Sequence, residues 1–294
     1  MLYIWIYKYY KMNNYKVTSP ISLKNSITKE VNDDAEQQLK KLRKKISKRQ
    51  DAMYAHGKYS MLICLQGMDT SGKDSLIREV FKDVNARGVV VHSFKVPTEQ
   101  ELKHDFIWRH YIALPERGKI RVFNRTHYEN VLVTRVHPGY IMGENIPSIK
   151  GIEDLDDAFY HARMDSINEF EKHISDNGTI VLKFFLNLSK DEQKNRLLRR
   201  LNIPEKNWKF SAGDLKERKL WNQYQDCYED AINRTSKEHA PWYIVPADDK
   251  PTARLIVAEV VYKALKSRED IKEPRLPDKY QAEIENYKKE LNNE

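Results

Sequence analysis

The chain has 294 residues, of which 40% are hydrophobic and 32% charged, with a formal net charge of +8. This length allows one sizeable α/β core or two small domains. No apolar run approaches the roughly 20 residues that a membrane-spanning helix needs, so no membrane partner is expected. The basic excess favours a polyanionic partner, but charge alone does not distinguish nucleic acid, phosphorylated small molecules and a membrane surface.

The first predicted segment is an N-terminal tail over residues 1–32, with Met12 as an alternative translation start. Its opening residues are apolar but lack the basic region and cleavage site of a signal peptide. The two cysteines, Cys64 and Cys227, have no metal-ligand spacing, and this favours reduced thiols in a cytoplasmic protein. A single domain is predicted over 33–270, beginning with a charged helix at 33–56.

The apolar run MLICLQ at 61–66 predicts a buried strand, and apolar residues recur at helical spacing over 76–84. The loop between them reads GMDTSGKDS, which has the GxxxxGK spacing of a phosphate-binding loop. Its glycines let backbone N–H groups point at phosphate oxygens, the helix N-terminus adds a positive dipole end, and Lys73 adds a full charge. The predicted phosphate-binding residues are Gly67, Thr70, Ser71, Gly72, Lys73, Asp74 and Ser75.

Two carboxylates distinguish this loop. Asp69 lies inside it, and Asp74 follows the lysine, where Ser or Thr usually contacts magnesium. They would repel a bare chain of phosphates unless a divalent cation lies between them. The loop therefore predicts Mg²⁺, with Mn²⁺ as an alternative, and Asp69 as the metal ligand. Ser75 or Asp74 could replace the missing hydroxyl, and Asp74 could equally be a helix-terminal carboxylate stabilised by the dipole.

Residues 89–94 predict the next strand, and residues 98–114 predict a helix that begins with the capping-box pair Thr98 and Glu101. On such a helix Glu101, Asp105, Trp108 and Arg109 fall near one face. This mixed acidic, aromatic and basic face could bind a nucleotide acceptor or form a polar packing seam.

The third predicted strand, at 120–123, ends in Asn124 and Arg125. Ligands of open α/β sheets lie beyond the carboxyl ends of the strands, so both side chains are expected to face the phosphate loop. Asn124 stands where a metal-binding Asp is usual and can bind a cation only through its neutral oxygen or through water. Arg125 supplies a planar fork for phosphate or, equally well, a structural ion pair.

Residues 179–188 and 242–247 predict the last two strands, with a helix at 251–267 and a charged C-terminal segment at 271–294. Short apolar strands separated by helices favour a mostly parallel sheet covered on both faces. The helical insertion at 189–237 is predicted to act as a lid. Its first helix carries Arg196 and Arg200 on one face, which suits neutralisation of transferring phosphates, although a basic face usually contacts solvent.

Four stretches resemble motifs of the polyphosphate kinase 2 family: LQGMDTSGKDS, SFKVPTEQELKHDFIWRHYIALPERG, FNRTHYENVLVTRVHP and LSKDEQKNRLLRRLNIPEKNWKFSAGDLKERKLW. They follow the family's order over about residues 40–265. FNR, SFKVPT and HDFIWRH are similar to the branch that accepts both nucleoside mono- and diphosphates. The resemblance implies an α/β P-loop fold like that of thymidylate kinase, a parallel sheet flanked by helices with a helical lid. It also implies reversible, Mg²⁺-dependent phosphoryl transfer from the end of inorganic polyphosphate to ADP and AMP.

Carried over residue by residue, the resemblance implies a catalytic set of Asp69, Lys73, Arg125, Arg196 and Arg200. The predicted nucleotide-binding residues are Lys95, Asp105, Arg109, Asn124 and Glu129. A homodimer or homotetramer is expected, and no nucleic-acid partner.

Two other functions are compatible with parts of the sequence. An ATP-using small-molecule or nucleotide kinase would carry Ser or Thr after the loop lysine, where this chain has Asp74. A non-catalytic polyanion or nucleic-acid binder would interleave basic and stacking aromatic residues along a groove. Only Trp208, Lys209 and Phe210 show that pattern.

Overall fold

A computed structural model describes residues 15–281 and 283–294. It contains a sheet of five parallel strands in the order β2-β3-β1-β4-β5. The strands are β1 (Ser60–Gln66), β2 (Val89–Ser93), β3 (Ile120–Asn124), β4 (Thr179–Asn187) and β5 (Trp242–Pro246). All five predicted strands and the predicted parallel sheet are confirmed.

Helices cover both faces of this sheet, as a buried parallel sheet requires. In chain order they are α1 (Ala35–His56), α2 (Lys73–Val80), α3 (Trp108–Tyr111), α4 (Val133–Val136), α5 (Asp157–Asp176), α6 (Lys190–Asn202), α7 (Ala212–Lys219), α8 (Trp221–Thr235), α9 (Lys250–Lys266), α10 (Asp278–Gln281) and α11 (Ile284–Asn292). Along β1, Ile63 packs in the cluster that contains α1 and α9, whereas Leu62 packs on the opposite face with Phe170 of α5. No helix of the described part of the chain is long and apolar enough to cross a membrane.

The predicted helix over 98–114 is wrong. The capping box forms, since the Thr98 N–H donates to Glu101 Oε2 at 2.7 Å and the Glu101 N–H donates to Thr98 Oγ1 at 3.2 Å. It caps only a 3₁₀ turn, Glu101–Lys103, after which His104 is extended with φ of −116°. Asp105 Oδ1 then accepts the N–H groups of Ile107 and Trp108 and begins the separate one-turn helix α3.

Part of the predicted tail over 1–32 contacts the domain: Tyr15, Val17 and Leu23 are buried, whereas the other residues of 15–32 are partly or fully exposed. The Val17 N–H donates to the Trp242 carbonyl at 2.9 Å and the Ile244 N–H to the Tyr15 carbonyl at 2.8 Å, so this segment pairs with the outer edge of β5. Covering a sheet edge protects it from pairing with other chains. Residues 1–14, including Met12 and the apolar opening, lie outside the described residues.

The predicted lid, 189–237, divides into two parts. Helix α7 has no buried residue and α6 buries only Gln193, Arg196 and Leu197, whereas α8 is packed in the core through Tyr228 and Ile232. A lid that moves would therefore consist of α6 and α7, and its motion stays a prediction.

A buried ionic cluster joins the sheet to the segment that follows β3. Lys183 of β4 donates to Glu171 Oε2 at 2.5 Å, to the Tyr128 hydroxyl at 2.8 Å and to the Thr235 carbonyl at 2.7 Å. Glu171 Oε1 is hydrogen-bonded to His127 Nε2 and to the Tyr128 hydroxyl, both at 3.0 Å. Burial alone would raise the pKa of Glu171, but the Lys183 ammonium and the His127 hydrogen bond lower it below its usual value. The carboxylate is thus ionised and anchors His127 and Tyr128.

We predict that Lys183→Met lowers the free energy of unfolding by about 3 kcal/mol or more, because it leaves the buried Glu171 carboxylate without its counter-ion. Lys172→Met is the matched control, since it removes an exposed i,i+4 pair with Asp176 on the same helix as Glu171. Its expected cost is below about 1 kcal/mol. Urea unfolding of both variants measures the difference, and equal costs would contradict the role given to the buried cluster.

Candidate active site

The phosphate loop lies where β1 ends and α2 begins, and its first glycine packs directly against β4. Gly67 has φ of 147°, and a Cβ placed there would lie 2.9 Å from the Leu186 carbonyl oxygen. The loop also holds Thr70 at φ of 66°, a left-handed conformation uncommon for a residue with a side chain. Such strained positions persist only where the surrounding structure holds them, and they cluster at functional sites.

Several polar groups of the loop are suited to an anionic ligand. Lys73 Nζ donates to the carbonyl of Gly67 at 2.6 Å, which holds its charge over the loop. Burial lowers the pKa of Lys73, and the nearby Asp69 carboxylate opposes that shift. The hydroxyls of Thr70 and Ser71 are buried and have no hydrogen-bond partner within residues 15–281 and 283–294. Buried polar groups are nearly always partnered, so these two are donors available to a phosphate.

Around the loop is a cavity of about 630 Å³, here called the loop cavity. Ten basic and two acidic residues contribute to its wall. They are Lys73, Arg78, Arg125, Arg196, Arg199, Arg200, Lys206, Lys209, Lys250 and Arg254, with Asp69 and Asp74. A water-accessible cavity with this imbalance of charge attracts and concentrates polyanions.

Arg196 of α6 fixes the loop rather than presenting a free charge. Its Nε donates to Glu192 Oε1 at 2.7 Å, and its Nη1 donates to the carbonyls of Thr70 and Ser71 at 3.1 and 3.0 Å. Its Nη2 donates to the carbonyls of Ala247 and Asp248, just after β5. All five guanidinium donors are therefore used. Arg196 thereby connects the phosphate loop to α6 and to the residues that follow β5.

Two carboxylates and one amide on the wall of the loop cavity fit Mg²⁺. Asp74 Oδ1 accepts a hydrogen bond from Asn124 Nδ2 at 2.7 Å, and the buried Oδ1 of Asn124 has no partner among the described residues. Asp69 lines the same wall. No three metal-ligating side chains converge in the described residues. Mg²⁺ usually takes one or two carboxylates together with substrate phosphates, which agrees with this donor set.

Arg125 lies between two carboxylates at the end of β3. Its Nη2 is 3.2 Å from Asp69 Oδ1, and its Nη1 is 3.4 Å from Glu129 Oε2. The Glu129 carboxylate raises the pKa of Arg125, which keeps the guanidinium charged. Its backbone φ of 61° is left-handed. The buried amide of Gln66 holds the flanking residues, since Nε2 donates to Thr126 Oγ1 and to Glu129 Oε1, both at 3.0 Å.

A second cavity, of about 520 Å³ and here called the apolar cavity, also has Arg125 in its wall. Its wall is mostly apolar, with a few charged groups. It includes Phe94, Lys95, Val96, Pro97, Leu102, Arg109, Arg125, Glu129, Val133, Tyr140 and Glu144. Arg109 is held in place, since it donates to the Lys95 carbonyl at 3.0 Å and lies 3.2 Å from Glu101. Apolar walls with a few placed polar groups are typical of small-molecule sites.

The structure brings most of the predicted site residues to these two cavities. The loop cavity is lined by Asp69, Thr70, Ser71, Gly72, Lys73, Asp74, Ser75, Asn124, Arg125, Arg196 and Arg200. Gly67 forms the base of the loop, and Lys95, Arg109 and Glu129 line the apolar cavity. Asp105 lines neither cavity, and its carboxylate accepts the N–H groups of Ile107 and Trp108 just before α3.

Sequence reasoning missed three basic groups of the loop cavity outside the lid: Arg78 on α2, and Lys250 and Arg254 on α9. The rule that directed attention to Asn124 applies equally to the residues after β5, so the position of Lys250 carried a usable signal. It also missed Gln66, which reads as the last residue of a buried strand.

Three comparisons with known proteins agree with this geometry. Residues 29–273 match the polyphosphate kinase 2 family. The chain is 49% identical over 223 residues to an ADP-polyphosphate phosphotransferase of Rhodopseudomonas palustris, which covers 76% of each chain. It is 45% identical over 224 residues to an AMP/ADP-polyphosphate phosphotransferase of Meiothermus ruber, covering 76% of this chain and 78% of the relative. A crystal structure of polyphosphate kinase 2 from Arthrobacter aurescens superposes with a TM-score of 0.81 at 35% identity, covering 90% of this chain and 91% of that one.

We predict that Gly67→Ala costs about 1–3 kcal/mol of stability, because the new Cβ would overlap the Leu186 carbonyl and the backbone there is left-handed. Gly139→Ala is the matched control, since a Cβ at Gly139 meets no atom within 4 Å. Its expected effect is within about 0.5 kcal/mol. Urea unfolding of the two variants tests this, and an unaltered Gly67→Ala protein would show that the loop is not packed against β4.

Proposed function

This chain belongs to the polyphosphate kinase 2 family, and we propose that it transfers the terminal phosphoryl group of inorganic polyphosphate to ADP and AMP, reversibly. The two relatives named above are phosphotransferases of ADP with polyphosphate, and of AMP or ADP with polyphosphate. Their names support the donor and the nucleotide class. Acceptance of AMP as well as ADP is the finer part of the proposal.

One observation carries the proposal: Arg125 belongs to the walls of both cavities. A phosphoryl group moves between two substrates only if their reacting ends meet in line. A guanidinium is planar and binds two phosphate oxygens side by side, so at this junction it can contact both substrates.

The loop cavity suits the polyphosphate donor. Ten basic and two acidic residues line it, and this is a charge environment for a chain of phosphates rather than for a single neutral group. The buried hydroxyls of Thr70 and Ser71 and the loop backbone supply the hydrogen bonds that phosphate oxygens accept.

The apolar cavity suits the nucleotide acceptor. Its apolar wall, which includes Val96, Pro97 and Tyr140, can pack against a base and a sugar. Lys95 on the same wall can bind the acceptor phosphates, which lead toward Arg125. Nucleoside mono- and diphosphates differ in length by one phosphate. Arg125, which belongs to both cavities, can bind the terminal phosphate of either.

In the proposed reaction a terminal phosphate oxygen of the nucleotide forms a bond to the terminal phosphorus of polyphosphate. The bond from that phosphorus to the bridging oxygen breaks, and the electron pair stays on a polyphosphate shorter by one unit. The acceptor oxygen is already ionised, so no general base is needed. Lys73 and Arg125 neutralise the oxygens of the transferring group, and Arg196 keeps the loop in position.

We propose that Mg²⁺, or Mn²⁺ with the same oxygen ligands, is held at Asp69, with Asp74 and Asn124 beside it. The ion would supply charge neutralisation between these carboxylates and the phosphates. A homodimer or homotetramer and a cytoplasmic location stay predictions.

The test is a coupled assay for ATP from ADP, polyphosphate and Mg²⁺, repeated with AMP. Lys73→Ala is expected to lower the rate by roughly 10²–10³-fold, because it removes a charge that stabilises the transferring group. Lys272→Ala, at an exposed lysine that lines neither cavity, is the control and is expected to keep the wild-type rate. No turnover with polyphosphate, together with phosphate transfer from ATP to another acceptor, would refute the proposal.

A further inference from the structure

Three basic residues of the loop cavity lie outside every family-like stretch of the sequence: Arg78 on α2, and the pair Lys250 and Arg254 on α9. This helix begins directly after β5, and Asp249 caps it by accepting the Thr252 N–H at 2.9 Å. Lys250 and Arg254 are four residues apart in its first turns, so they lie on the same face. Both are half-buried and both contribute to the wall of the loop cavity.

The basic residues of the loop cavity divide into two groups by their partners. Four have a carboxylate within 4.0 Å: Arg78 from Glu79, Arg125 from Asp69 and Glu129, Arg196 from Glu192, and Arg200 from Asp214. Within the described ranges, the other six have no carboxylate at that distance: Lys73, Arg199, Lys206, Lys209, Lys250 and Arg254. The Nε of Arg254 is also buried without a hydrogen-bond partner.

These charges repel one another around Lys250. Burial, and then the nearby charges of Arg196, Arg199 and Arg254, lower the pKa of Lys250 to about 8. Glu192 opposes this shift at Lys250, and burial lowers the pKa of Arg254 while Glu79 and Glu36 raise it, but none of these carboxylates lies within 4.0 Å of either cation. Half-buried cations whose charge is only partly compensated cost stability in the free protein. An anion bound among them relieves that repulsion, so the arrangement favours an anionic ligand at this place.

The position of the α9 pair shows which part of a ligand it would contact. Arg125 marks the reacting end, because it belongs to both cavities. Lys250 and Arg254 line the loop cavity alone. We infer that a chain of phosphates with its terminal unit at Arg125 meets the α9 pair through units farther along the chain.

We propose that Lys250 and Arg254, with the neighbouring Arg199, form a distal polyphosphate subsite that selects for long chains. This rests on the proposed function, since it deepens the assignment of the loop cavity to the donor. A long polyphosphate reaches the subsite while its end reacts at Arg125. The proposal requires that tripolyphosphate, with only three units, does not reach both places, so that it gains nothing from these two charges.

The test compares long-chain polyphosphate with tripolyphosphate as donor and as ligand, using the double variant Lys250→Ala/Arg254→Ala. Loss of two charge-assisted contacts is expected to lower kcat/KM for the long chain by roughly 10–100-fold, mainly through KM. The value for tripolyphosphate is expected to change less than about twofold by the same reasoning. Lys272→Ala again controls for the loss of positive charge alone.

Direct titration of both ligands, followed by calorimetry, keeps the test independent of turnover. A wild-type protein that binds long chains but forms no ATP would refute the proposed function and leave the subsite to be judged by binding. Equal loss of affinity for long and short ligands, or no loss for either, would overturn the subsite. If the double variant fails to fold, Lys250→Gln and Arg254→Gln are each expected to lose affinity for the long chain selectively.

Discussion

The guanidinium of Arg125 lies between the carboxylates of Asp69 and Glu129, and the rest of the site is arranged around that position. Its left-handed backbone is unfavourable for an arginine and must be held by its neighbours. The next residue, Thr126, is tied to the end of β1 through Gln66. Beyond it, the buried Glu171 carboxylate anchors the chain. Two sets of buried polar bonds thus hold one strained residue where both cavities meet.

The basic residues around the phosphate loop differ in whether they have hydrogen-bond partners within the protein. Arg196 holds the phosphate loop in place, and all its donors are used on carbonyls and a carboxylate. Basic residues that face the interior of the loop cavity without partners, such as Lys250, keep their charge for a ligand. Basic residues that line the same wall therefore differ in role, and their hydrogen-bond partners distinguish them.

The sequence predicted what depends on local pattern. The five strands are short apolar runs, and the phosphate loop has a fixed spacing between one strand and one helix. The prediction of a helix over 98–114 was wrong because the Asp105 carboxylate accepts the N–H groups of Ile107 and Trp108, and these bonds compete with continuation of a helix. The spacing of residue types along the sequence does not reveal this competition.

Other features depend on contacts between distant residues. Lys183 reads as an interruption in an apolar strand, yet it is buried and anchors the segment after β3 through Glu171. The α9 cations are remote in sequence from the phosphate loop, and the parallel sheet brings the residues after β5 to the edge at which the loop lies. Conversely, Asp105 lies within a family-like stretch but faces its own backbone.

The most direct test of the shared role of Arg125 is to measure kcat for Arg125→Met beside the dissociation constants of ADP and of polyphosphate. A group that contacts both substrates at the transferring phosphoryl acts mostly in the transition state, so kcat should fall by roughly 10²–10³-fold. Each dissociation constant should change far less. A loss confined to the affinity for one substrate, with kcat unaltered, would place Arg125 in one cavity only and contradict this account.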